Sequence, residues 1–380
     1  MLVRGKKGLL FALIAVYSVF FYTFEMGNLT EEYSLPFISG CLFLLVKYAM
    51  RAKEDEKHPY IYSLCYGICI GILAFIRVNN AVAICAGVLV VAIYLIYKKN
   101  YKNLIINILF GFLGVVIVAL PITVYFATNS ALYDMIYATF IHNFKYVGSS
   151  TRRALLENVL ESIALYLPII VSMACVIPKF IKKEEKKTIE FVDVLIGCMV
   201  VFNLLCQLIS NSYAHYFAIY VPVFALVLGR YWNFNIKSVK MALLALCVLL
   251  NAFLAAKGIA AVIYNSWLTP DYSMQDKVIK EVVSIIPEEE KDSVIGYNIH
   301  ARYYMYAEIV PCYKYYTFQK WWSTSNPAIN KDFMAWLKDE KPLWVIKHPK
   351  ENEKELLDIL EENYEMKDEN KILSVYRLKE

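Results

Sequence analysis

The sequence predicts a mainly α-helical protein: a polytopic membrane domain over residues 1–264, then a small extracytoplasmic α/β domain over 265–380. Three observations predict it. Hydrophobic residues make up 59% of the 380, more apolar mass than a soluble fold of that length buries. That mass is gathered into runs close to the ~20 residues a helix needs to cross a bilayer. After about residue 265 the runs stop, and an amphipathic, charged pattern replaces them.

Nine runs are expected to span the cell membrane: roughly 8–24, 33–50, 60–76, 81–97, 103–127, 158–178, 191–209, 216–230 and 239–263. Basic residues crowd alternate gaps: Arg4, Lys6 and Lys7; Lys47, Arg51, Lys53 and Lys57; Lys98, Lys99 and Lys102; Lys179 to Lys187; Arg230, Lys237 and Lys240. Lys and Arg in short loops stay on the cytoplasmic side. The N-terminus is therefore expected inside, with the Glu31 loop, the 128–157 loop and the tail outside. The outer gaps hold only Arg77, Lys145, Arg152 and Arg153. The net charge of +5 is thus topological. No groove-sized basic patch forms, which excludes nucleic acid as a partner and leaves membrane lipids. No cleavable signal is expected, because no Ala-x-Ala-like site follows the first run.

In the loop at 128–157, Tyr133, Ile136, Tyr137, Phe140 and Phe144 recur at three- and four-residue spacing. That is the pattern of an amphipathic helix at the membrane interface, holding a lipid substrate or simply anchoring the loop. The tail alternates helical stretches at 273–286, 326–339 and 351–362 with strand-like runs at 293–297, 343–347 and 372–378, an α/β layer. Its aromatic segment, 303–322, either stacks on carbohydrate or packs against the membrane domain. Eight of nine cysteines lie in apolar runs and Cys312 stands alone in the tail, so no disulfide framework is expected. Cys65 and Cys69 share a helix face, with no His or carboxylate near enough in sequence to complete a metal site.

Chemistry concentrates at the outer ends of the runs. Glu31 and Glu32 sit between two apolar runs, where a carboxylate loses hydration and is a functional-site candidate. Glu31 also fits a capping box with Asn28 as N-cap, which would occupy it structurally. Pro36 lacks the N–H that would bond the Glu32 carbonyl, leaving Glu32 free to face a cation or a hydroxyl. Arg77, followed by Asn79 and Asn80, either binds phosphate bidentately or snorkels to lipid headgroups. His215, flanked by Tyr213 and Tyr216, hydrogen-bonds a phosphate or sugar, or anchors the interface. His142 and Lys145 add donors on the same side. No phosphate loop, Ser/His/Asp signature or HExxH is present. Carboxylates, a few cations and many rings suit a lipid-linked phosphosugar.

Gly27-Asn28-Leu29-Thr30-Glu31-Glu32-Tyr33-x-Leu35-Pro36-Phe37, Gly71-x-x-x-Phe75-x-Arg77-x-Asn79, Leu120-Pro121 leading to Ala131-Leu132-Tyr133-Asp134, and Tyr213-x-His215-Tyr216 before Pro222 together resemble bacterial GT-C glycosyltransferases. The closest type is the protein mannosyltransferase and aminoarabinose transferase superfamily, glycosyltransferase family 39. The resemblance implies a GT-C-like membrane domain that takes a sugar from a polyprenyl-phosphate donor on the outer face. The sugar passes with inversion to a glycan, lipid or protein acceptor. It implies Glu31 and Glu32 as catalytic carboxylates, with Glu32 in the place of a second acidic residue that begins a later span and able to hold a divalent metal. Arg77 and His215 become phosphate contacts, and Asn79, Asn80, His142, Lys145 and Tyr213 substrate contacts. The family's first external loop, with its catalytic Asp, has no match here, so the chain is expected to be an N-terminally shortened form. Two other readings stay open: a Wzy-like glycan polymerase or ligase, and an inactive membrane scaffold or glycan-binding protein. Transport is disfavoured because the runs carry almost no charge, Glu161 and Lys257 lying near their ends.

Overall fold

The computed structural model describes residues 6–24, 27–52, 57–141, 159–181, 189–209, 213–232, 239–264, 277, 279–281, 283–299, 301–315, 318, 320 and 327–380. The chain divides into two compact units, Met1–Ile259 and Ala260–Glu380.

The first unit is a helical bundle: α1 (Lys6–Thr23), α2 (Thr30–Arg51), α3 (Tyr60–Arg77), α4 (Val82–Tyr97), α5 (Tyr101–Thr128), the short α6 (Leu132–Ile136), α7 (Val159–Ile181), α8 (Phe191–Ile209), α9 (Val221–Tyr231) and α10 (Val239–Ile263). Among the described residues, seven helical stretches are long and apolar enough to cross a membrane, which makes this a membrane protein. One stretch, Tyr60–Tyr97, folds back on itself. Arg77 leaves the helical conformation for an extended one (φ −169°, ψ 114°) and a 3-10 turn, Val78–Ala81, follows. The Tyr94 hydroxyl donates to the Ala52 carbonyl at 2.8 Å, and His58, just ahead of α3, meets the Tyr48 ring edge-on at 4.5 Å. Both free ends of the hairpin therefore lie at the C-terminal end of α2. Its turn lies at the other end, where Asn80 Nδ2 donates to Ser34 Oγ at 2.8 Å.

Backbone contact fixes the α3–α5 crossing. A Cβ on Gly67 would stand 1.9 Å from the Gly111 carbonyl oxygen, and one on Gly114 2.4 Å from that of Leu64. Small residues let helices approach closely in lipid, where no hydrophobic force drives them together. The outer face of α5 keeps Ile105, Leu109, Phe112 and Tyr125 exposed, as an acyl-chain solvent permits. Inside, the Asn203 and Asn251 amide N–H groups donate to helix carbonyls.

The second unit carries a four-stranded sheet in the order β1 (Val294–Tyr297), β2 (Trp344–Lys347), β4 (Ser374–Leu378), β3 (Tyr364–Glu369). β1 and β2 are parallel and the other pairs antiparallel. Alternation sends Val294, Trp344 and Ile346 to one core and Ile295, Tyr297 and Val345 to the other. The latter is covered by α12 (Pro327–Glu340) and α13 (Lys354–Asn363), and the former by 279–286 and α11 (Ala301–Ala307). β3 and α11 lie outside the expected elements. β3 follows α13 with no turn residue between, and its Glu-Met-Lys-Asp-Glu sequence is that of a charged edge strand. Of the aromatic segment, Tyr313 and Phe318 pack on Phe333 at 5.1 and 4.4 Å, building the core of their own unit. The expected amphipathic stretch after Leu132 is α6 and then a π-helical turn, Tyr137–Ile141. Phe144 lies outside the described residues.

Candidate functional site

The site forms where α2 begins, α3 ends and the 3-10 segment Ala214–Tyr220 enters α9. Helix α2 starts at Thr30, with Leu29 at the cap position and no side-chain cap, so Asn28 is not the N-cap. The carboxylates consequently exchange the expected roles. Glu32 Oε2 accepts the Asn28 N–H at 3.0 Å, reaching back one turn as a capping glutamate does. Glu31 is released from that duty and is almost fully buried.

Glu31 Oε1 pairs with Nη1 of Arg77, and its Oε2 accepts from Thr30 Oγ1 at 2.9 Å. The Arg77 guanidinium lies over the Tyr216 ring, its Cζ 3.6 Å from the centroid, a cation–π contact strengthened by desolvation. Tyr216 is itself held: its carbonyl accepts from Gln207 Nε2 at 2.7 Å, and His215 meets its ring edge-on at 4.5 Å. Tyr213 stacks on His215 at 5.6 Å. Asn80 is spent on holding the hairpin turn to α2, through Ser34 Oγ and the Thr30 carbonyl. Asn79 lines the hollow beside the ion pair, with Cys206, Gln207 and Ile219.

That hollow measures about 10 Å³, room for about one water. Glu32, the next residue of α2, keeps one oxygen, Oε1, buried and without a hydrogen-bond partner. An orphaned carboxylate oxygen is costly. It is the atom here most able to take a proton or a cation. Among the described residues no three His, Cys, Asp or Glu side chains gather to hold a metal ion. Glu32 would be a lone ligand, because Arg77 already neutralises Glu31. The structure thus brings Glu31, Arg77, Asn79, Asn80, Tyr213 and His215 to one end of the bundle with Glu32. His142 and Lys145 lie outside the described residues.

Sequence reasoning passed over Thr30, Gln207 and the ring of Tyr216. Gln207 in the last turn of an apolar run was the available signal. It also passed over Asp193, a carboxylate near the start of the 191–209 run. This residue is fully buried in the first turn of α8. It accepts from Arg230 Nε at 2.7 Å, Tyr231 O–H at 2.9 Å and the Glu190 N–H at 2.9 Å.

Residues 6–242 match the family described as competence-induced protein Ccs4 N-terminal domain. No curated protein and no solved structure matches the chain.

Proposed function

The chain belongs to that family, whose description speaks of competence and not of chemistry, and from the geometry of the site we propose a membrane glycosyltransferase of GT-C type that uses a polyprenyl-phosphate sugar. One observation carries the reading. Glu31, Arg77, Gln207 and Tyr216, from four separate elements, converge on one small hollow, and the next residue of α2, Glu32, keeps an orphaned oxygen.

In this reading the N-terminus is cytoplasmic, nine spans cross the membrane, and the Glu31 end and the second unit face outside. The donor phosphate takes the place of the Glu31 carboxylate on Arg77, with His215 as a neighbouring donor. An acceptor hydroxyl loses its proton to Glu32 Oε1 as its oxygen bonds to the anomeric carbon. The bond from that carbon to the phosphate oxygen breaks, and polyprenyl phosphate leaves with the electron pair, stabilised by Arg77. Glu32 is also available to a divalent metal, and no step above depends on one. Transfer of labelled sugar from a polyprenyl-phosphate donor by the full chain in vesicles is the test. Glu32→Gln abolishes turnover and Arg77→Lys raises KM; unchanged turnover in Glu32→Gln removes the proposal.

A second reading, a membrane scaffold that acts in competence, is favoured by the closure of the site. The hollow admits about one water and Arg77 already neutralises Glu31. Loss of the whole chain then lowers DNA uptake in competent cells, while Glu32→Gln leaves uptake unchanged.

A further inference from the structure

At the opposite end of the bundle, the helices leave a slot of about 320 Å³ between α3, α4 and α5. Its cause is a conflict of packing. Gly67 and Gly114 lock α5 onto α3. Gly87 lets α4 sink instead against Leu45 of α2 and Met199 of α8, both within 2.6 Å of where its Cβ would stand, and Tyr94 stacks on Phe191 at 4.0 Å. Helices α4 and α5 therefore part, and Val88, Ala92, Leu95, Leu104 and Phe112 wall the wedge.

Three polar side chains line the slot, Ser63, Tyr66 and Asn107, and each is engaged, Tyr66 O–H with His58 Nε2 at 3.5 Å. Ser63 Oγ donates to Asn107 Oδ1 at 2.7 Å, where His58 Nδ1 also lies at 2.7 Å. Asn107 Nδ2 donates to the carbonyls of His58 and Asn103 at 3.1 and 2.8 Å. The slot thus presents hydrocarbon to its occupant, and an empty apolar gap of this size forfeits dispersion contacts that a chain restores. Its Leu95 and Leu104 end adjoins the turn joining α4 to α5, where Lys99 and Lys102 are exposed. No Asp or Glu occurs from residue 57 to residue 133, so nothing in this stretch offsets those ammonium groups.

We infer that the slot holds one hydrocarbon chain of an anionic glycerophospholipid whose phosphate rests on Lys99 and Lys102. This site is separate from the Glu31–Arg77 cluster and independent of the transferase reading. The test reconstitutes the full chain in nanodiscs of equal phosphatidylglycerol and phosphatidylcholine, then counts retained lipids by native mass spectrometry. One phosphatidylglycerol stays bound per chain, preferred about tenfold. Plugging the wedge with Ala92→Phe removes it, as does Val88→Phe from the same wall. Lys99→Gln with Lys102→Gln returns the retained lipid to the bulk ratio while both slot walls stay intact. A melting curve for each variant confirms folding, and Ala92→Leu, a smaller plug, gives partial loss. Retention at the bulk ratio by the unaltered chain overturns the inference. So does phosphatidylglycerol retained equally by folded Ala92→Phe or Val88→Phe.

Discussion

Two buried ion pairs stand at opposite ends of the same bundle, and they are finished differently. At one end Asp193 joins α7, α8 and α9: Arg230 Nε and Tyr231 O–H hold one oxygen, the Glu190 N–H the other, and Lys179 stands 3.6 Å away. Glu190 takes a second nitrogen of Arg230 at 2.9 Å. Every charge there has an answer, so the cluster reads as a fastening. At the other end Glu31 and Arg77 make a simpler pair beside a hollow, with a ring beneath the guanidinium, and one residue along α2 Glu32 keeps an unsatisfied oxygen. The contrast teaches that a buried salt bridge marks function only where something adjacent is left unanswered.

The largest effect is expected where the network is complete. Asp193→Ala leaves Arg230 with Glu190 alone and takes the acceptor from Tyr231 O–H, and should cost about 3–5 kcal/mol, read as a lowered melting temperature in nanodiscs. Replacing both partners, Asp193→Leu with Arg230→Met, should recover most of it; no recovery would break the fastening reading. Glu31→Gln should cost less, about 1–3 kcal/mol, because Arg77 keeps the Tyr216 ring and reaches water. Tyr216→Leu should cost about 1 kcal/mol. Glu32→Gln should move stability by no more than about 0.5 kcal/mol, since its amide oxygen still accepts from Asn28, while sugar transfer is lost.

The second unit offers a pH-dependent counterpart. Burial by itself would raise the Glu351 carboxyl, but the Lys320 ammonium and the Asn298 amide bring it below the ordinary value. A carboxyl with a depressed folded value adds stability that is present above the unfolded pKa of about 4.3 and is lost as pH falls through the folded one. Protection of amide hydrogens around β1 and α13 in the full chain, taken relative to the intrinsic exchange rate at each pH, should therefore be high at pH 6 and fall below about pH 4. Glu351→Gln should flatten that dependence.

Much of the bundle was legible because long apolar runs leave few alternatives. Helices α2, α8 and α10 lie close to their expected bounds, and the reversal at Val78–Ala81 sits in the gap left between two runs. The edge strand β3 was not, since charge on an exposed edge looks like loop. At the site, Glu31, Glu32 and Arg77 stood out as charges beside apolar runs, but their roles did not. Whether Asn28 or Leu29 caps α2 turns on one residue of helix start, which sequence patterns leave uncertain. That one residue decides which glutamate faces Arg77. Asp193 escaped because a carboxylate in the first turn of a helix passes as an ordinary dipole partner.

Sharing of Arg77 between Glu31 and an incoming phosphate is read by binding of a polyprenyl monophosphate to the full chain in nanodiscs. Binding should be saturable, weakened about tenfold by Arg77→Gln and tightened by Glu31→Gln, which removes the competing carboxylate. Binding that is indifferent to Arg77, or that weakens when Glu31 is neutralised, would contradict it.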